Sequence, residues 1–348
     1  MNQADLHTVL CLSDKDLTMQ EVTFSILDPE HLNQCGHFAS VPLSKILKLS
    51  SSTIKTRWIQ EMKARLAEPE AIGIIAEVSS HICGLVVVTS LPWDSAIIGK
   101  RMSSIRYLAV DAAFPQQRGL LAKLLEKAID YARCNSMDFL LCKTDATETD
   151  LDFALINRGF AQMDTLLHYV YKFGNHRNNQ TFQSSLPEGF GYRLAVPSDF
   201  ENLAEVTRAS FSGYFGRFHT DPHIGHKKAT KIYEEWIRSC LNGWTDWTSL
   251  VTYENQIVGY CSWKKPSSSD LQQSIRIGHC SIIGIHPDYF RRGLSTFLIS
   301  EGMRQLMSQA DYVAVLTHAN NLPAQGAFRK LGWNVSGKRK SYHKWLNE

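Results

Sequence analysis

A strand-like apolar run that ends in a glycine-bearing basic turn and passes straight into a helical pattern leaves a chain few ways to fold. Residues 281–300, SIIGIHPDYFRRGLSTFLIS, are such a stretch. Residues 282–285 read as a buried strand, and Pro287 with Asp288 stops it. The turn Arg291-Arg292-Gly293-Leu294-Ser295 follows, then a helix with apolar residues at Phe297, Leu298, Met303 and Leu306. Strand, turn and helix in that order gather unpaired backbone N–H groups at the positive end of a helix dipole. Gly293 lets an anion reach the backbone where a side chain would hold it off. Two arginines add charge-assisted donors, so the turn predicts a phosphate or pyrophosphate site. The bland alternative is an ordinary strand-to-helix turn with solvated arginines.

The next elements narrow the choice. Residues 312–317, YVAVLT, read as a second buried strand. Asn320-Asn321-Leu322-Pro323-Ala324 opens a helix through Phe328, and Lys330-Leu331-Gly332-Trp333 follows. This order resembles the GNAT superfamily of acetyl-coenzyme-A-dependent N-acetyltransferases. There a strand leads into a glycine turn that cradles the coenzyme pyrophosphate, and an N-x-x-A…(Y)-x-x-x-G-(F) stretch comes after it. The spacing matches from Gly284 to Trp333. The resemblance implies an α/β (α+β) fold whose central sheet is mixed, mostly antiparallel and flanked by helices. It implies acetyl-CoA as co-substrate and no metal. It also implies coenzyme contacts from Ile283, Gly284, Ile285, Arg291, Arg292, Gly293, Leu294, Ser295 and Thr296, with Asn321 and Phe328 from the later helix. Two positions depart from the family. Phe290 stands where Gln or Arg usually begins the turn, a loss that Arg291 and Arg292 cover. Phe328 replaces the frequent tyrosine that protonates the departing thiolate, which leaves the acid unassigned.

The same order occurs earlier in the chain. Residues 71–78 and 82–89 look like two strands around a Ser79-Ser80 turn, and 105–110 like another. Gln116-Gln117-Arg118-Gly119-Leu120-Leu121 then leads to a helix at 122–133, and 137–142 is strand-like again. The chain therefore reads as an internal duplication, two GNAT-like units in tandem. The 348 residues are enough for two separate cores. The expected division is a first unit at 1–173, a polar linker at 174–189, and a second, catalytic unit at 190–348. The first copy looks worn. Leu121 stands at a position where the family uses a small residue, and it would crowd the pyrophosphate. Glu148 and Leu155 replace Asn321 and Phe328. In the second unit, 199–211 reads as an amphipathic helix with Ser198 as its N-cap, and 250–254 with 256–264 as a hairpin.

Charge excludes one class of partner. Lys plus Arg total 37 against 34 acidic residues, and a net charge of +3 is too small to argue for nucleic acid. No basic leader and no long apolar stretch is visible, so neither secretion nor membrane insertion is expected. The eight cysteines are scattered without a C-x-x-C pair. That pattern fits buried thiols and a reducing, cytoplasmic compartment. A homodimer is the oligomer entertained.

Acetyl transfer to an amine needs a neutral nitrogen, a held thioester carbonyl and a proton for the leaving sulfur. His279 lies on the predicted central strand, where the family often places a base facing the acceptor, and an imidazole can take the ammonium proton. Its bland alternative is a core histidine bonded to backbone. Backbone N–H groups near 283–285 would polarise the carbonyl. For the acid the candidates are Tyr342, Tyr260, Ser295 or water.

The stretch 211–223, FSGYFGRFHTDPH, interleaves glycines, aromatics, Arg217, two histidines and Asp221 between two predicted helices. A surface loop with stacked aromatics is its bland reading. His219, Asp221 and His223 invite a metal reading, which the family resemblance opposes. Here the resemblance narrows: Gly216-Arg217-Phe218-His219, Pro222 and Tyr233-x-x-Trp236-Ile237 are similar to the bacterial TDP-fucosamine N-acetyltransferases of surface-polysaccharide synthesis. Leu91, Trp93 and Gly99 match an element of their first unit. The implied partner is a small-molecule amine, an amino group on a nucleotide-linked deoxysugar. Trp93, Tyr214, Phe215, Arg217, His219 and Tyr260 are the expected acceptor contacts. A different amine, small-molecule or peptide, is the runner-up. A non-catalytic acyl-CoA-binding protein is the alternative outside enzymes.

Overall fold

The computed structural model describes residues 22–174 and 185–347. Residue contacts separate two compact units, the first running to Met163 and resuming at Lys340, the second spanning Asp164–Arg339.

In the first unit β1 (Thr23–Ile26) leads into a 3-10 helix, Pro29–Phe38, and then to α1 (Ser51–Leu66), β2 (Ile72–Val78) and β3 (His81–Ser90). Helix α2 (Pro92–Ile98), β4 (Met102–Val110), α3 (Gln117–Cys134), β5 (Phe139–Asp145) and α4 (Thr149–Asn157) complete it. The strands lie in the order β1-β2-β3-β4-β5, antiparallel except for the parallel pair β4–β5. Ile74, Ala76, Val86 and Val88 pack with α3, while Ile75, Leu85 and Val87 face Leu32, Trp58 and Met62 on the other side. Burial on both faces is why these strands read as unbroken apolar runs rather than as alternation.

The second unit takes up β6 (Ala161–Lys172) from Asp164 onward. It continues with β7 (Phe190–Leu194), α5 (Phe200–Phe211), α6 (Arg217–Thr220), α7 (His226–Ser239), β8 (Trp247–Tyr253) and β9 (Gln256–Lys264). Then come α8 (Ser268–Gln272), β10 (Ile277–Ile285), α9 (Leu294–Leu306), β11 (Tyr312–His318), α10 (Leu322–Lys330) and β12 (Asn334–Trp345). Strand order is β6-β11-β10-β9-β8-β7, and only β10–β11 is parallel. The expected mixed, mostly antiparallel sheet flanked by helices is what forms in each unit.

Local chemistry explains most element ends. Ser79 and Ser80 both take positive φ, as do Glu254 and Asn255, giving two-residue hairpin turns whose twist suits the flanking strands. Helix α1 starts at Ser51 because the Ser50 hydroxyl accepts the Thr53 N–H at 3.1 Å. The Ser198 cap is corrected: a 3-10 turn, Pro197–Asp199, precedes α5, and the Asp199 carboxylate accepts the Val196 N–H at 2.8 Å. That carboxylate also binds both Arg193 terminal nitrogens, at 2.7 and 2.8 Å, and this holds it below the usual carboxylate range.

Most of the expected linker, 175–184, lies outside the described residues. The boundaries read from sequence differ from the division by contacts for two reasons of pairing. Residues 166–172 of β6 pair along their length with β11, which carries them into the second unit. Residues from Lys340 on belong to the first, where the Leu346 N–H donates to the Asp138 carbonyl at 2.9 Å. Among the described residues the cysteines form no disulfide, and no helix is long and apolar enough to cross a membrane.

Candidate active site

In the second unit β10 and β11 pair only at Ile277↔Tyr312, Gly278↔Val313 and His279↔Ala314. Beyond His279 the two strands part. On its other edge β10 carries a bulge: Cys280 opposes Trp263 and Ile282 opposes Ser262, so Ser281 is the extra residue. The backbone of 282–285 therefore turns an edge without ladder partners into the opening between the strands. Those N–H groups are what a thioester carbonyl needs. Tyr260 supports this edge from beneath. It packs so closely on Gly284 that an added Cβ would lie 2.8 Å from its ring.

The turn after β10 is shaped by two left-handed residues, Arg291 at φ 62° and Gly293 at φ 79°. Gly293 is the N-cap of α9, with no side chain capping the helix. The first hydrogen bond into the helix is Phe297 N–H to Gly293 O at 3.0 Å, so the N–H groups of Leu294, Ser295 and Thr296 have no partner within the helix. A Cβ on Gly293 would meet nothing within 4 Å. The glycine is thus required by its φ, and the space above it is open. Arg291 and Arg292 are exposed, and neither has an ion-pair partner among the described residues. Arg292 stacks 5.3 Å from the Tyr289 ring centroid. An open cradle of N–H groups beside two unneutralised guanidiniums fits a pyrophosphate.

His279 is half-buried, at the last rung before the strands part. Burial pushes its pKa down, Asp270 opposes the shift, and Lys264, its cross-strand partner, adds to it. A depressed histidine is neutral at pH 7, the form that accepts a proton. His168 is pushed down to about 4 by burial, then by Arg339 and His279.

The loop 211–223 folds into an aromatic and polar cluster. The Tyr214 ring lies 5.4 Å from Tyr233 and 6.2 Å from His318. Burial and the nearby Asp164 push the Tyr214 phenol up to about 12. Asp164 is buried and accepts the Arg217 N–H at 3.0 Å. Its other oxygen, Oδ1, is buried without a hydrogen-bond partner. His219 Nε2 faces Thr230 Oγ1 at 3.2 Å, its Nδ1 is buried and unpartnered, and burial with His226 pushes the ring down to about 4. Phe215 is 64% exposed. The Asp221 carboxylate accepts the His223 N–H at 2.9 Å, closing a local turn.

Several expected site residues are buried in cores, and those assignments are corrected. Tyr342 is buried in the core of the first unit, among Leu140, Cys142 and Leu155, which leaves its hydroxyl no surface from which to protonate a departing thiolate. Tyr260 is fully buried with its hydroxyl on Thr207 Oγ1 at 2.8 Å, which leaves no surface for an acceptor. Phe328 packs in the core 5.2 Å from Trp333, and the Asn321 side chain caps α10 through the Ala324 N–H. Leu294 is likewise core, so only its backbone faces the turn. Trp93 belongs to α2 of the first unit and is 42% exposed. What sequence reasoning missed is Asp164 and His318. Their partners lie far off in the chain, and only the abrupt His318 after an apolar strand was a visible signal.

A parallel strand pair that splays at a bulge, with a left-handed glycine opening the following helix, defines an acyl-coenzyme-A-dependent transferase. The family model of the Acetyltransferase (GNAT) family matches residues 43–157 and again 211–333, so the chain belongs to this family. It is an acetyl-CoA-dependent N-acetyltransferase with two family domains in tandem. The chain is similar to the spore coat polysaccharide biosynthesis protein SpsD of Bacillus subtilis (strain 168). The two are 21% identical over 291 residues, which cover 83% of this chain and 93% of the relative. Two solved structures share the fold. The GCN5-related N-acetyltransferase from Sphaerobacter thermophilus does so at 14% identity and TM-score 0.63, covering 94% of this chain and 96% of that one. The tandem GNAT protein from the clavulanic acid biosynthesis pathway does so at 12% identity and TM-score 0.56, covering 94% and 99%.

Proposed function

We propose that the second unit acetylates the amino group of a nucleotide-linked aminodeoxysugar, a surface-polysaccharide precursor, in the cytoplasm. The observation that supports it best is the conjunction, within one unit, of the open turn at Gly293, the unladdered edge of β10 and the depressed His279. His279 takes the proton of the arriving ammonium. The N–H groups near Ile283 and Ile285 polarise the thioester carbonyl, and the turn with Arg291 and Arg292 holds the pyrophosphate. The amine nitrogen then bonds directly to the acetyl carbon as the carbon–sulfur bond breaks, with no acyl-enzyme; the sulfur leaves with the bonding pair as the coenzyme thiolate and takes a proton from water, while the acylated nitrogen gives its extra proton to water. Tyr214, Arg217 and His219 lie on the acceptor side. The likeness to a protein named for polysaccharide biosynthesis favours the sugar acceptor.

A thiol-release assay with acetyl-CoA tests this against a panel of amino-sugar nucleotides, free amino sugars, small amines and peptides. Turnover confined to the sugar nucleotides is expected. Preference for peptides or simple amines overturns the acceptor. Coenzyme binding with no turnover on any amine overturns the reaction, an outcome that Phe328 in place of a tyrosine makes worth measuring.

A further inference from the structure

Three side chains from separate elements of the first unit converge. His37 comes from the end of the 3-10 helix, His81 opens β3, and Asp111 directly follows β4. One donor atom from each lies within 4.8 Å of the other two. We propose that His37, His81 and Asp111 bind one divalent transition-metal ion of the zinc class, with water as the fourth ligand, fastening the 29–38 segment to the sheet.

The donor set is the first argument. Two imidazoles and a carboxylate with one open position is an established zinc environment, whereas purely acidic clusters favour harder cations. The second is the hydrogen bonding of His37. Its Nδ1 lies 3.1 Å from Gln34 O and its Nε2 3.1 Å from Ile82 O. A neutral imidazole has one N–H for these two acceptors, so one nitrogen keeps a lone pair with no proton to receive. With the N–H on Gln34 O, the ring has the backbone-oriented setting typical of metal-binding histidines, and Nε2 takes the ion in place of its contact with the Ile82 carbonyl. The third is the fixed carboxylate. Asp111 Oδ1 accepts the Ala113 N–H at 2.9 Å, while Oδ2 faces His81 Nε2 at 3.0 Å.

Zinc–nitrogen distances of about 2.0–2.1 Å require the donor atoms, now within 4.8 Å of one another, to draw together around the ion. His81 can make that movement, its side chain being 67% exposed. The matching strand positions of the second unit are Gln256 and His286, since Gly84↔Val110 and Gly259↔Ile285 are equivalent rungs. The ion would thus belong to the first unit alone.

The full chain, stripped of metal by chelation and dialysed, is titrated with Zn²⁺ by calorimetry and with Co²⁺ as a spectroscopic probe. One ion per chain is expected, with the visible bands of four-coordinate cobalt, and amide exchange in 29–38 should slow when zinc is added. His81→Ala and Asp111→Asn should each abolish the bands, whereas His31→Ala, an exposed neighbour in sequence, should keep them. Failure to bind an ion, or an ion and bands that survive in both variants, overturns the proposal.

Discussion

The two units share one piece of geometry and differ in another. In each, a central strand carries one extra residue against its antiparallel neighbour, Arg106 in β4 and Ser281 in β10. In each, the parallel pairing then stops after a few rungs, at Ile105↔Cys142 and at His279↔Ala314. The first residue past the strand is even tied alike, Asp111 N–H to Cys83 O and His286 N–H to Val258 O, both at 2.8 Å. The turns part company. Gly293 is left-handed and caps α9 from outside, whereas Gly119 sits inside the first turn of α3 with ordinary φ. Arg291 and Arg292 have no carboxylate partner among the described residues, while Arg118 pairs with Asp150 at 2.9 Å. Where the second unit has His279, the first has Ser104, buried with its hydroxyl on the Ile105 carbonyl. Bulge and splay are fixed by strands packed on both faces, so they persist in both copies. The turn is solvent-facing and holds nothing else in place, so it is free to diverge. The expected crowding by Leu121 is not the difference, because that side chain points into the core.

The largest effect should separate the two apex positions. His279→Ala should lower turnover at neutral pH by about 10²–10⁴-fold, the usual worth of a positioned proton acceptor, and Ser104→Ala should leave it unchanged. The sign of the pH dependence follows from burial. A histidine with depressed pKa stays deprotonated at pH 7, so the rate should fall only below the ordinary histidine range as the ring gains a proton. That acid limb should vanish in the variant. A variant that melts early yet keeps its rate per folded molecule and its limb would reduce His279 to a core residue.

Next come the arginines. Arg291→Ala and Arg292→Ala should each weaken coenzyme binding by about 1.5–3 kcal/mol, the worth of a charge-assisted contact, with acceptor affinity little changed. Arg118→Ala should leave calorimetric coenzyme affinity as it was, because its guanidinium is spent on Asp150. Equal losses at Arg118 and Arg292 would mean that both turns bind.

The smallest effect sharpens the contrast by sign. Gly293→Ala forces a side chain into a left-handed φ and should destabilise by about 1–2 kcal/mol. Gly119→Ala replaces a helical glycine with open space around it and should stabilise by about 0.5–1 kcal/mol. Urea midpoints measured on both variants decide it, and shifts of the same sign would refute the difference in turn geometry.

Much of this was legible in the chain. The strands, the two hairpin turns, the duplication and the glycine turn depend on spacing and on residues adjacent in sequence. The stretch 282–293 could be read almost residue by residue for that reason. The aromatic and polar cluster of 211–223 was half legible. Tyr214, Arg217 and His219 stand out in an odd stretch, but the buried Asp164 that anchors the Arg217 backbone lies 53 residues away. No local pattern announces such a partner.

By itself, then, the sequence determined the elements, their duplication and the shape of the turn, since backbone φ, helix termini and apolar periodicity are local properties. Tertiary structure decided what depends on register and on contacts between distant segments. It placed the bulge at Ser281, which opens the strand edge that the chemistry needs. It sent Tyr342 and the last residues into the first unit, although they follow the second in the chain. It also brought His37, His81 and Asp111 within reach of one ion, because loop ends far apart in sequence meet only where the sheet sets them side by side.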